Sequence, residues 1–401
     1  MPPSILAEGP VRAVSSASPG VPSPLPYSLP DLVCFAHLHW DFVWQRPQHL
    51  LSRFALRGRV FYVEEPFFHT DNHTEPHVEL KERQNGVRVV VVHLPERLRP
   101  DEAAANAAQA KMLSGFFAEQ NIQQFVAWYY TPMALPKTRH LQAALTVYDC
   151  MDELAQFKGA PPELRMLEQE LFKRADLVFT GGQRLYEAKR EQHDDAHPFP
   201  SSIDQAHFGQ ARDPELAEPA DQAGIPHPRV GFFGVIDERL DIELLGALAR
   251  NHPAWQFVII GPVVKIDPAS LPRPANIHYL GGKDYQQLPA YLRGWDVATL
   301  LFARNESTEF ISPTKTPEYL AAGRPVVSTS IRDVVRPYGE LNLVQIADDP
   351  REFGAAIARA LEQGEDTDWR TRTDEYLATI SWDLTWQNMV NLMQQRLLKK
   401  T

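Results

Sequence analysis

Residues 302–329 read FARNESTEFISPTKTPEYLAAGRPVVST, and this stretch contains the repeating unit of a parallel α/β fold. A strand is predicted to end at its start, and a polar loop follows. We expect a short helix with Thr316 as its N-cap and Pro317 at its first position, ending at Gly323. The next strand is predicted at residues 325–328. In parallel sheets, ligands bind beyond the carboxyl ends of the strands, where such loops lie.

The same alternation of strands and helices continues along the rest of the chain. In the first half, short apolar runs predict strands at residues 32–36, 60–63, 87–92, 125–130, 145–148 and 176–180. In the second half, further strands are predicted at residues 229–236, 257–263, 277–280, 297–302 and 343–346. Alternation at this spacing requires right-handed crossovers and parallel sheets with helices on both faces. The predicted fold class is therefore α/β, with two doubly wound, Rossmann-like domains that face each other across a cleft.

Composition divides the chain into four segments. Residues 1–30 hold eight of the 34 prolines and few large apolar side chains, which predicts a disordered tail. The first Rossmann-like domain is predicted at residues 31–210 and the second at residues 211–380, joined through the proline-rich stretch 194–228. Residues 381–401 are predicted to form an amphipathic helix, because their apolar side chains recur at helical spacing. We expect this helix to pack back across the domains.

The composition also excludes several classes of protein. The chain has 401 residues, a formal net charge of −11 and no long Lys/Arg cluster, so a nucleic-acid partner is not expected. Its two cysteines, Cys34 and Cys150, do not indicate a disulfide framework and favour a reducing compartment. No apolar stretch approaches the roughly 20 residues that cross a bilayer, and no signal peptide is recognised. We therefore expect a cytoplasmic protein.

The loop and helix start within residues 302–329 contain the strongest candidates for binding a charged ligand. Lys315 and the backbone N–H groups around Ser312 and Thr314 lie at a helix N-terminus, which attracts anions. Glu318, in the first turn, is suited to accept hydrogen bonds from a vicinal diol such as a ribose. The alternative is that Glu318 only complements the helix dipole and that Lys315 is solvated. The spacing by itself leaves both interpretations open.

The loop after the first strand, residues 37–46, mixes aromatic, charged and histidine side chains. Sugar rings stack on aromatic side chains such as Trp44, and polar groups such as Arg46 and His37 bind hydroxyl or phosphate groups. The mixture favours a glycan or a phosphorylated acceptor. The alternative is that the tryptophans pack in the core and that Arg46 only opens a helix. His37 and His39 do not predict a metal site, because two ligands without a third do not make one.

Two carboxylates, Asp149 and Asp152, follow the strand predicted at residues 145–148. At the carboxyl end of a strand they could orient an acceptor hydroxyl or stabilise an oxocarbenium-like centre. Alternatively, Asp152 caps a helix and Asp149 is hydrogen-bonded in a turn. Another acidic pair, Asp366 and Asp368, matches a metal-binding Asp-x-Asp pattern but lies in an acidic surface stretch rather than after a strand. We interpret that match as coincidental and predict no metal.

Several motifs resemble those of one enzyme family. The sequence SPTKTPEYLAAGRPVV at residues 312–327 is similar to the donor-site signature of GT-B glycosyltransferases of the retaining family 4, or group 1, type. The strand and glycine turn at residues 230–234 resemble the start of that family's nucleotide-sugar domain. The sequence PSSID at residues 200–204, followed by Phe208, resembles its link between domains. The resemblance implies a GT-B fold.

Two further motifs resemble those of a bacterial subgroup of this family. They are WQRPQHL at residues 44–50 and YDCMDE at residues 148–153. The subgroup is found with polysaccharide and teichuronic-acid-type synthesis. Together the similar segments cover residues 31–398, the whole predicted globular part.

The resemblance implies roles for residues of the second domain. Glu318 matches the family's ribose-binding Glu, and Lys315 corresponds to a ligand of the diphosphate. The backbone at Gly281 and Gly282 would approach the base. Other residues assigned to the donor nucleotide are Gly234, Arg239, Ser312 and Thr314.

The family's Glu-x7-Glu pair is changed in this chain. Phe310 stands where the first Glu is expected, and Glu309 or Glu306 is placed to substitute. We assign catalytic roles to Asp149, Lys315 and Glu309. The resemblance places the acceptor in the first domain, and we assign acceptor contacts to His37, Trp44, Arg46 and Asp152.

The function implied by the resemblance is glycosyl transfer. We expect a retaining, metal-independent enzyme without a cofactor that moves a sugar from a nucleoside-diphosphate sugar to a glycan, lipid-linked or small-molecule acceptor. A cytoplasmic protein in peripheral contact with the inner face of the membrane is compatible with this function. Two alternatives remain: a GT-B sugar-nucleotide epimerase, and a catalytically inactive nucleotide-sugar-binding protein.

Overall fold

The computed structural model describes residues 29–71, 73–364 and 366–400. The predicted tail, residues 1–30, lies outside the described residues except for its last two. The strands are β1 (Asp31–Phe35), β2 (Val60–Val63), β3 (Phe67–His69), β4 (His77–Glu82), β5 (Val87–Pro95), β6 (Phe125–Tyr129), β7 (Leu145–Cys150), β8 (Leu177–Thr180), β9 (Ala196–Pro198), β10 (Arg229–Phe233), β11 (Gln256–Ile260), β12 (Ile277–Gly281), β13 (Val297–Leu300), β14 (Val326–Ser328) and β15 (Val344–Ile346). The α-helices are α1 (Arg46–Ala55), α2 (Glu102–Glu119), α3 (Leu135–Thr138), α4 (Leu164–Arg174), α5 (Gln183–Lys189), α6 (Gln205–Gly209), α7 (Ala220–Ala223), α8 (Ile242–Asn251), α9 (Leu288–Arg293), α10 (Lys315–Ala321), α11 (Arg332–Val334), α12 (Pro350–Gln363), α13 (Thr367–Leu377) and α14 (Trp382–Lys400).

The first domain is built on a nine-stranded sheet with the order β3-β5-β2-β1-β6-β7-β8-β9. All of these pairs are parallel, and β4 pairs antiparallel with β5. Cys34 in β1 lies opposite Tyr62 of β2 and Trp128 of β6. One face of the sheet packs under α1 and α14, and the other packs under α2 and α4. Because both faces are covered, the strand sequences are continuous apolar runs.

The second domain is built on a six-stranded sheet with the order β12-β11-β10-β13-β14-β15, and every pair is parallel. Helices α8 and α12 cover one face, and α9, α10 and α13 cover the other. The strand order reverses at β10, as it does at β1 in the first sheet, and crevices at such points bind ligands. The two doubly wound domains confirm the predicted α/β class.

Some local predictions are wrong or incomplete. Thr316 is not an N-cap, because α10 begins at Lys315 and the buried Thr316 hydroxyl has no hydrogen-bond partner among the described residues. Strands β3 and β4 escape prediction because they lie at the edge of the sheet and lack a buried face. Helix α13 was also missed. Asp366 is its N-cap and accepts hydrogen bonds from the backbone N–H groups of Asp368 and Trp369.

The chain crosses between the domains twice, before α6 and before α14. The crossings meet where the backbone N–H of Trp382 donates to the carbonyl of Ile203 at 3.2 Å. Phe208, just before the predicted boundary at 210/211, packs in the core of the second domain. Helix α14 packs on the first-domain core beside α1, as predicted, through Trp382, Trp386, Met389, Val390 and Met393. Of the described helices, none has the length and apolar character needed to span a bilayer.

Candidate active site

A cleft of about 470 Å³ opens between the domains at the carboxyl ends of the strands of both sheets. Small-molecule sites typically enclose roughly 300–1,000 Å³. The first-domain wall of the cleft is the loop of residues 40–45. The second-domain wall consists of the loops after β10, β11 and β12 and the start of α10, where Thr314, Lys315 and Glu318 line the space. The structure thus brings these three predicted donor-site residues together.

Two glycines leave the space that the Lys315 side chain occupies in the cleft wall. Gly234 has a φ of +145°, and a Cβ there would overlap the Lys315 side chain. Gly261, with a φ of +147°, packs so closely that a Cβ would overlap the carbonyl of Gly234. The Lys315 ammonium lies 5.9 Å from the ring centre of Phe232, and it has no ion-pair partner within the described part of the chain. The close backbone packing leaves the ammonium available to a ligand.

Glu318 is the second unpaired charge of the cleft. Its side chain is 5% exposed, and the structure records no hydrogen bond to its carboxylate from any described residue. Burial raises the pKa of Glu318, and the nearby charge of Lys315 opposes the rise. Burial and the neighbouring Arg239 lower the pKa of Lys315. Both shifts have the same main cause, because burial disfavours the charged form of each group.

Arg239, Asp237 and Asp152 extend the charged cluster towards the first domain. The Arg239 guanidinium donates to both carboxylate oxygens of Asp237 at 2.7–3.1 Å, so its charge is already paired. Burial raises the pKa of Asp152 to about 6, and the charge of Arg239 opposes the rise. Asp152 is therefore a half-buried carboxylate beside the cations of the second domain.

An aromatic contact joins the two walls of the cleft. Trp44 of the first domain stacks on Tyr285 of the second, with ring centres 5.5 Å apart and an interplanar angle of 27°. His207 stacks on Tyr285 at 4.2 Å. The Tyr285 hydroxyl is buried without a hydrogen-bond partner among the described residues, and burial and the charge of Glu318 raise its pKa well above the usual range. Tyr285 is thus placed beside Glu318.

Arg46 and Asp149 are joined in an interior ion pair rather than presented to the cleft. Arg46 Nη2 donates to Asp149 Oδ1 at 2.8 Å and Nε donates to Oδ2 at 3.0 Å. The third guanidinium nitrogen, Nη1, donates to the carbonyl of Phe199 at 2.7 Å. Asp149 is fully buried and Arg46 is 5% exposed. This geometry does not support a catalytic Asp149 or an acceptor-binding Arg46, because each already satisfies the other. They form a structural ion pair within the first domain.

The structure also places Glu309 and Ser312 away from the cleft. Glu309 pairs with Arg184 of the first domain, and the Arg184 guanidinium lies 5.2 Å from the ring centre of Phe310. Ser312 accepts a hydrogen bond from Ser201 Oγ through its carbonyl at 2.5 Å. This loop joins the domains, so its geometry does not support a catalytic Glu309 or a nucleotide-binding Ser312.

The remaining predicted residues, His37, Gly281 and Gly282, lie outside the lining of the cleft. His37 is half-buried, its Nδ1 has no hydrogen-bond partner in the described part, and burial together with Lys265 lowers its pKa to about 4. Gly281, with a φ of +72°, ends β12, and Gly282 follows it. The two glycines are exposed and lie outside the cleft lining.

Sequence reasoning missed Gly261, Asp237 and Tyr285. A glycine immediately after the apolar strand β11 was a usable signal for Gly261, because close backbone contacts occur at strand ends. Asp237 lies two positions before Arg239, so an ion pair between them was within reach of the sequence. No local pattern marks Tyr285, because its importance lies in its contact with Trp44, which only the fold brings near.

Comparison with known proteins shows similarities to glycosyltransferases and to solved structures of the same fold. Residues 227–363, which include the whole second-domain wall of the cleft, match the family model described as Glycosyl transferases group 1. The architecture is the GT-B fold. A sucrose-phosphate synthase structure from Thermosynechococcus elongatus covers 91% of this chain and 98% of its own, with 15% identity and a TM-score of 0.64. The E. coli structure described as "Trehalose-6-phosphate from E. coli bound with UDP-2-fluoro glucose" covers 91% and 99%, with 14% identity and a TM-score of 0.68.

Among curated proteins, the chain is similar to the "Putative teichuronic acid biosynthesis glycosyltransferase TuaH" of Bacillus subtilis (strain 168). The two are 27% identical over 167 residues. The similar segment covers 40% of this chain and 42% of that protein, so it spans less than half the length of either.

Proposed function

We propose that this chain is a group 1 glycosyltransferase that transfers a sugar from a nucleoside-diphosphate sugar to an acceptor held by the first domain. One observation carries the proposal: Lys315 and Glu318 line the cleft within the matched domain without ion-pair partners among the described residues. Leaving charges buried and unpaired costs free energy. A ligand that is anionic near Lys315 and offers a diol to Glu318 would supply the missing partner of each charge.

A nucleoside diphosphate has these two features. Glu318 is placed to accept hydrogen bonds from the ribose hydroxyls, and Lys315 is placed to bind the diphosphate. The close packing of Gly234 and Gly261 keeps side chains out of the space where the phosphates would approach the backbone. Tyr285, beside Glu318, would flank the nucleoside.

The chemistry requires stabilisation of the departing diphosphate. The bond between the sugar's anomeric carbon and the phosphate oxygen breaks, and a bond forms from the acceptor oxygen to that carbon. Lys315 would neutralise the developing charge, which is the largest effect that a fixed cation can supply. We further propose that transfer is metal-independent and retaining. The leaving phosphate oxygen would then take the acceptor proton on the same face, and Asp152 would orient the acceptor.

The acceptor side is formed by the loop of residues 40–45. Phe42 and Trp44 are exposed at 47% and 38%, unusually high fractions for large aromatic side chains, and both line the cleft. Aromatic faces in this position suit stacking of a sugar ring. With the similarity to a protein named for teichuronic acid biosynthesis, this wall favours a glycan or a lipid-linked glycan as acceptor.

Thermal unfolding with UDP, GDP, ADP and dTDP, each with and without EDTA, tests donor binding. A ligand at 100 times its Kd stabilises a protein by about 2.7 kcal/mol. We expect one diphosphate to raise the melting temperature, with no effect of EDTA, and we expect Glu318→Ala and Lys315→Ala to abolish the rise. Glu352→Gln is the matched control, because Glu352 is an exposed acidic residue in the first turn of α12.

Transfer is then measured with the matching nucleotide sugar and a panel of glycan acceptors. Lys315→Ala should slow transfer by about 10²-fold or more, the usual effect of removing a stabiliser of transition-state charge. Transfer within a few-fold of the parent in both cleft variants would contradict the proposal. Epimerised nucleotide sugar formed without an acceptor would support the epimerase alternative, and binding without turnover would support an inactive binding protein.

A further inference from the structure

Three histidines meet at the edge of the first sheet, outside the cleft. They are His69 in β3, His77 at the start of β4 and His93 near the end of β5. One ring nitrogen from each lies within 4.8 Å of the other two. The histidines come from three strands and are separated by as many as 24 positions, so only the pairing of β3 and β4 with β5 brings them together.

Hydrogen bonds orient two of these rings so that one nitrogen of each faces the cluster. The Nε2 atom of His93 lies 2.9 Å from a carboxylate oxygen of Glu79, which makes Nε2–H the donor. Its Nδ1 therefore accepts a hydrogen bond from His69 Nε2–H at 2.8 Å, and a bound ion would replace that proton. The Nδ1 atom of His77 lies 3.0 Å from the carbonyl of Glu75, which leaves Nε2 free. Metal-binding histidines are typically oriented by such bonds to a carboxylate or a carbonyl.

The spacing of the rings suits a small divalent transition-metal ion. His69 Nε2 and His93 Nδ1 are 2.8 Å apart, and the rings of His77 and His93 are stacked with centres 4.7 Å apart. Tetrahedral coordination at about 2.0–2.1 Å per Zn–N bond places ligand nitrogens about 3.3–3.4 Å apart. That value lies between the 2.8 Å separation of His69 Nε2 and His93 Nδ1 and the 4.8 Å limit of the cluster. Coordination by all three histidines therefore requires His77 to rotate out of its stack with His93. Imidazole ligands favour zinc, copper, iron and nickel over magnesium and calcium.

We propose that His69, His77 and His93 bind one divalent transition-metal ion of the Zn²⁺ type, with water in the fourth position. The ion fastens β3 and β4 to β5. Apolar burial stabilises these two strands only weakly, because β3 has three residues and β4 has only exposed and half-buried side chains. A bound ion would add to their stability. None of the three histidines lines the cleft, so this site is compatible with a metal-independent transfer reaction.

Zinc binding to the untagged, full-length chain tests the site. After removal of metal with a chelator, equilibrium dialysis against ZnCl₂ should load one Zn²⁺ per chain, and Zn²⁺ should raise the melting temperature. His69→Gln and His93→Gln should each abolish tight binding. Glu79→Gln removes the carboxylate that orients His93 and pairs with Lys81, and it should weaken affinity by about 10–100-fold. The matched control is His140→Gln, because His140 pairs with Ser114 far along the chain from the cluster and should bind as the parent does.

If the variants at the half-buried His69 and His93 unfold, His77→Gln provides an independent test. His77 is the exposed member of the cluster, and its replacement should leave the fold intact, as circular dichroism can verify. Co²⁺ loaded in place of Zn²⁺ should give the visible absorption of a four-coordinate ion in the parent and lose it in this variant. The proposal is overturned if the parent binds no Zn²⁺ at micromolar concentration. It is equally overturned if a folded His77→Gln chain binds Zn²⁺ with parental stoichiometry and affinity.

Discussion

At the residue scale, the interior charges divide into those that have partners and those that do not. Arg46 and Asp149 satisfy each other inside the first domain, although burial still raises the pKa of Asp149. Glu318 is buried and Lys315 half-buried at the cleft, and neither has such a partner among the described residues. A paired interior charge supports the fold, whereas an unpaired charge facing a cleft is available for binding.

Removing Arg46 should destabilise the protein rather than act on the chemistry. Arg46→Ala leaves the Asp149 carboxylate buried without a partner, and breaking a buried ion pair costs about 3–5 kcal/mol. Chemical denaturation measures the loss. The control Arg139→Ala removes an exposed pair with Glu170 and should cost at most about 1 kcal/mol. Equal losses in the two variants would contradict the structural role of Arg46.

Ionisation of the buried Glu318 carboxyl should lower the free energy of unfolding when no ligand is bound. Because burial raises its pKa, the folded protein prefers the protonated carboxyl, so stability falls as the pH rises through the folded pKa. Glu318→Gln removes this penalty. We expect the unliganded variant to melt higher than the parent at pH 8, by a free energy on the order of 1 kcal/mol, and the gap to shrink at pH 5. A parent that is more stable than the variant at pH 8 would contradict this assignment.

At the element scale, the loops at the carboxyl ends of β10 and β11 shape the second-domain side of the cleft. Gly234 and Gly261 allow these two loops to pack backbone to backbone, with the Lys315 side chain against them. Both glycines have positive φ angles, which side chains other than glycine rarely adopt.

Gly234→Ala should therefore weaken nucleotide binding. The new methyl group overlaps Lys315 Cε, so the ammonium must move, and we expect diphosphate affinity to fall by at least tenfold. Calorimetric titration of the diphosphate identified by thermal unfolding measures this fall. Gly115→Ala in α2 is the control, because a Cβ there meets nothing within 4 Å, and its affinity should equal that of the parent. Unchanged affinity in Gly234→Ala would show that the Lys315 position is not needed.

At the scale of the whole molecule, contacts between the domains surround the cleft. Asp333 of the second domain accepts hydrogen bonds from the backbone N–H groups of Gln183 and Arg184 at 2.8 and 3.0 Å. The Arg184 side chain then pairs with Glu309. On the cleft itself, Trp44 stacks on Tyr285. These contacts hold the two domains together on either side of the cleft.

Glu309→Gln separates a role in domain contact from a role in catalysis. A half-exposed ion pair contributes about 0–1 kcal/mol, so transfer should slow by less than about tenfold, whereas loss of a catalytic carboxylate costs about 10²–10⁴-fold. Arg184→Ala should give the same small change, because it removes the other half of the pair. Steady-state transfer rates measure both. A loss above 10²-fold in Glu309→Gln alone would restore the catalytic assignment.

Part of the fold and site could be predicted because the relevant forces are local. Continuous apolar runs such as residues 229–233 mark strands that are covered on both faces, and their alternation with helices determines two parallel sheets. Lys315 and Glu318 belong to one helical turn, so their joint placement follows from their spacing of three residues. By contrast, β3 has only three residues and β4 has no buried residue, so neither forms the continuous apolar run that marks the other strands.

The sequence by itself determined the doubly wound domains, the returning C-terminal helix and the placement of Lys315 and Glu318 in one turn at the start of a helix. The tertiary structure alone decided which charges are paired, because partners such as Arg46 and Asp149 lie 103 positions apart. It also decided that Glu309 faces the other domain. The assembly of His69 with His93 depends in the same way on strand pairing. Local preferences act within a few residues, whereas ion pairs and ligand clusters form between segments that only the complete fold brings together.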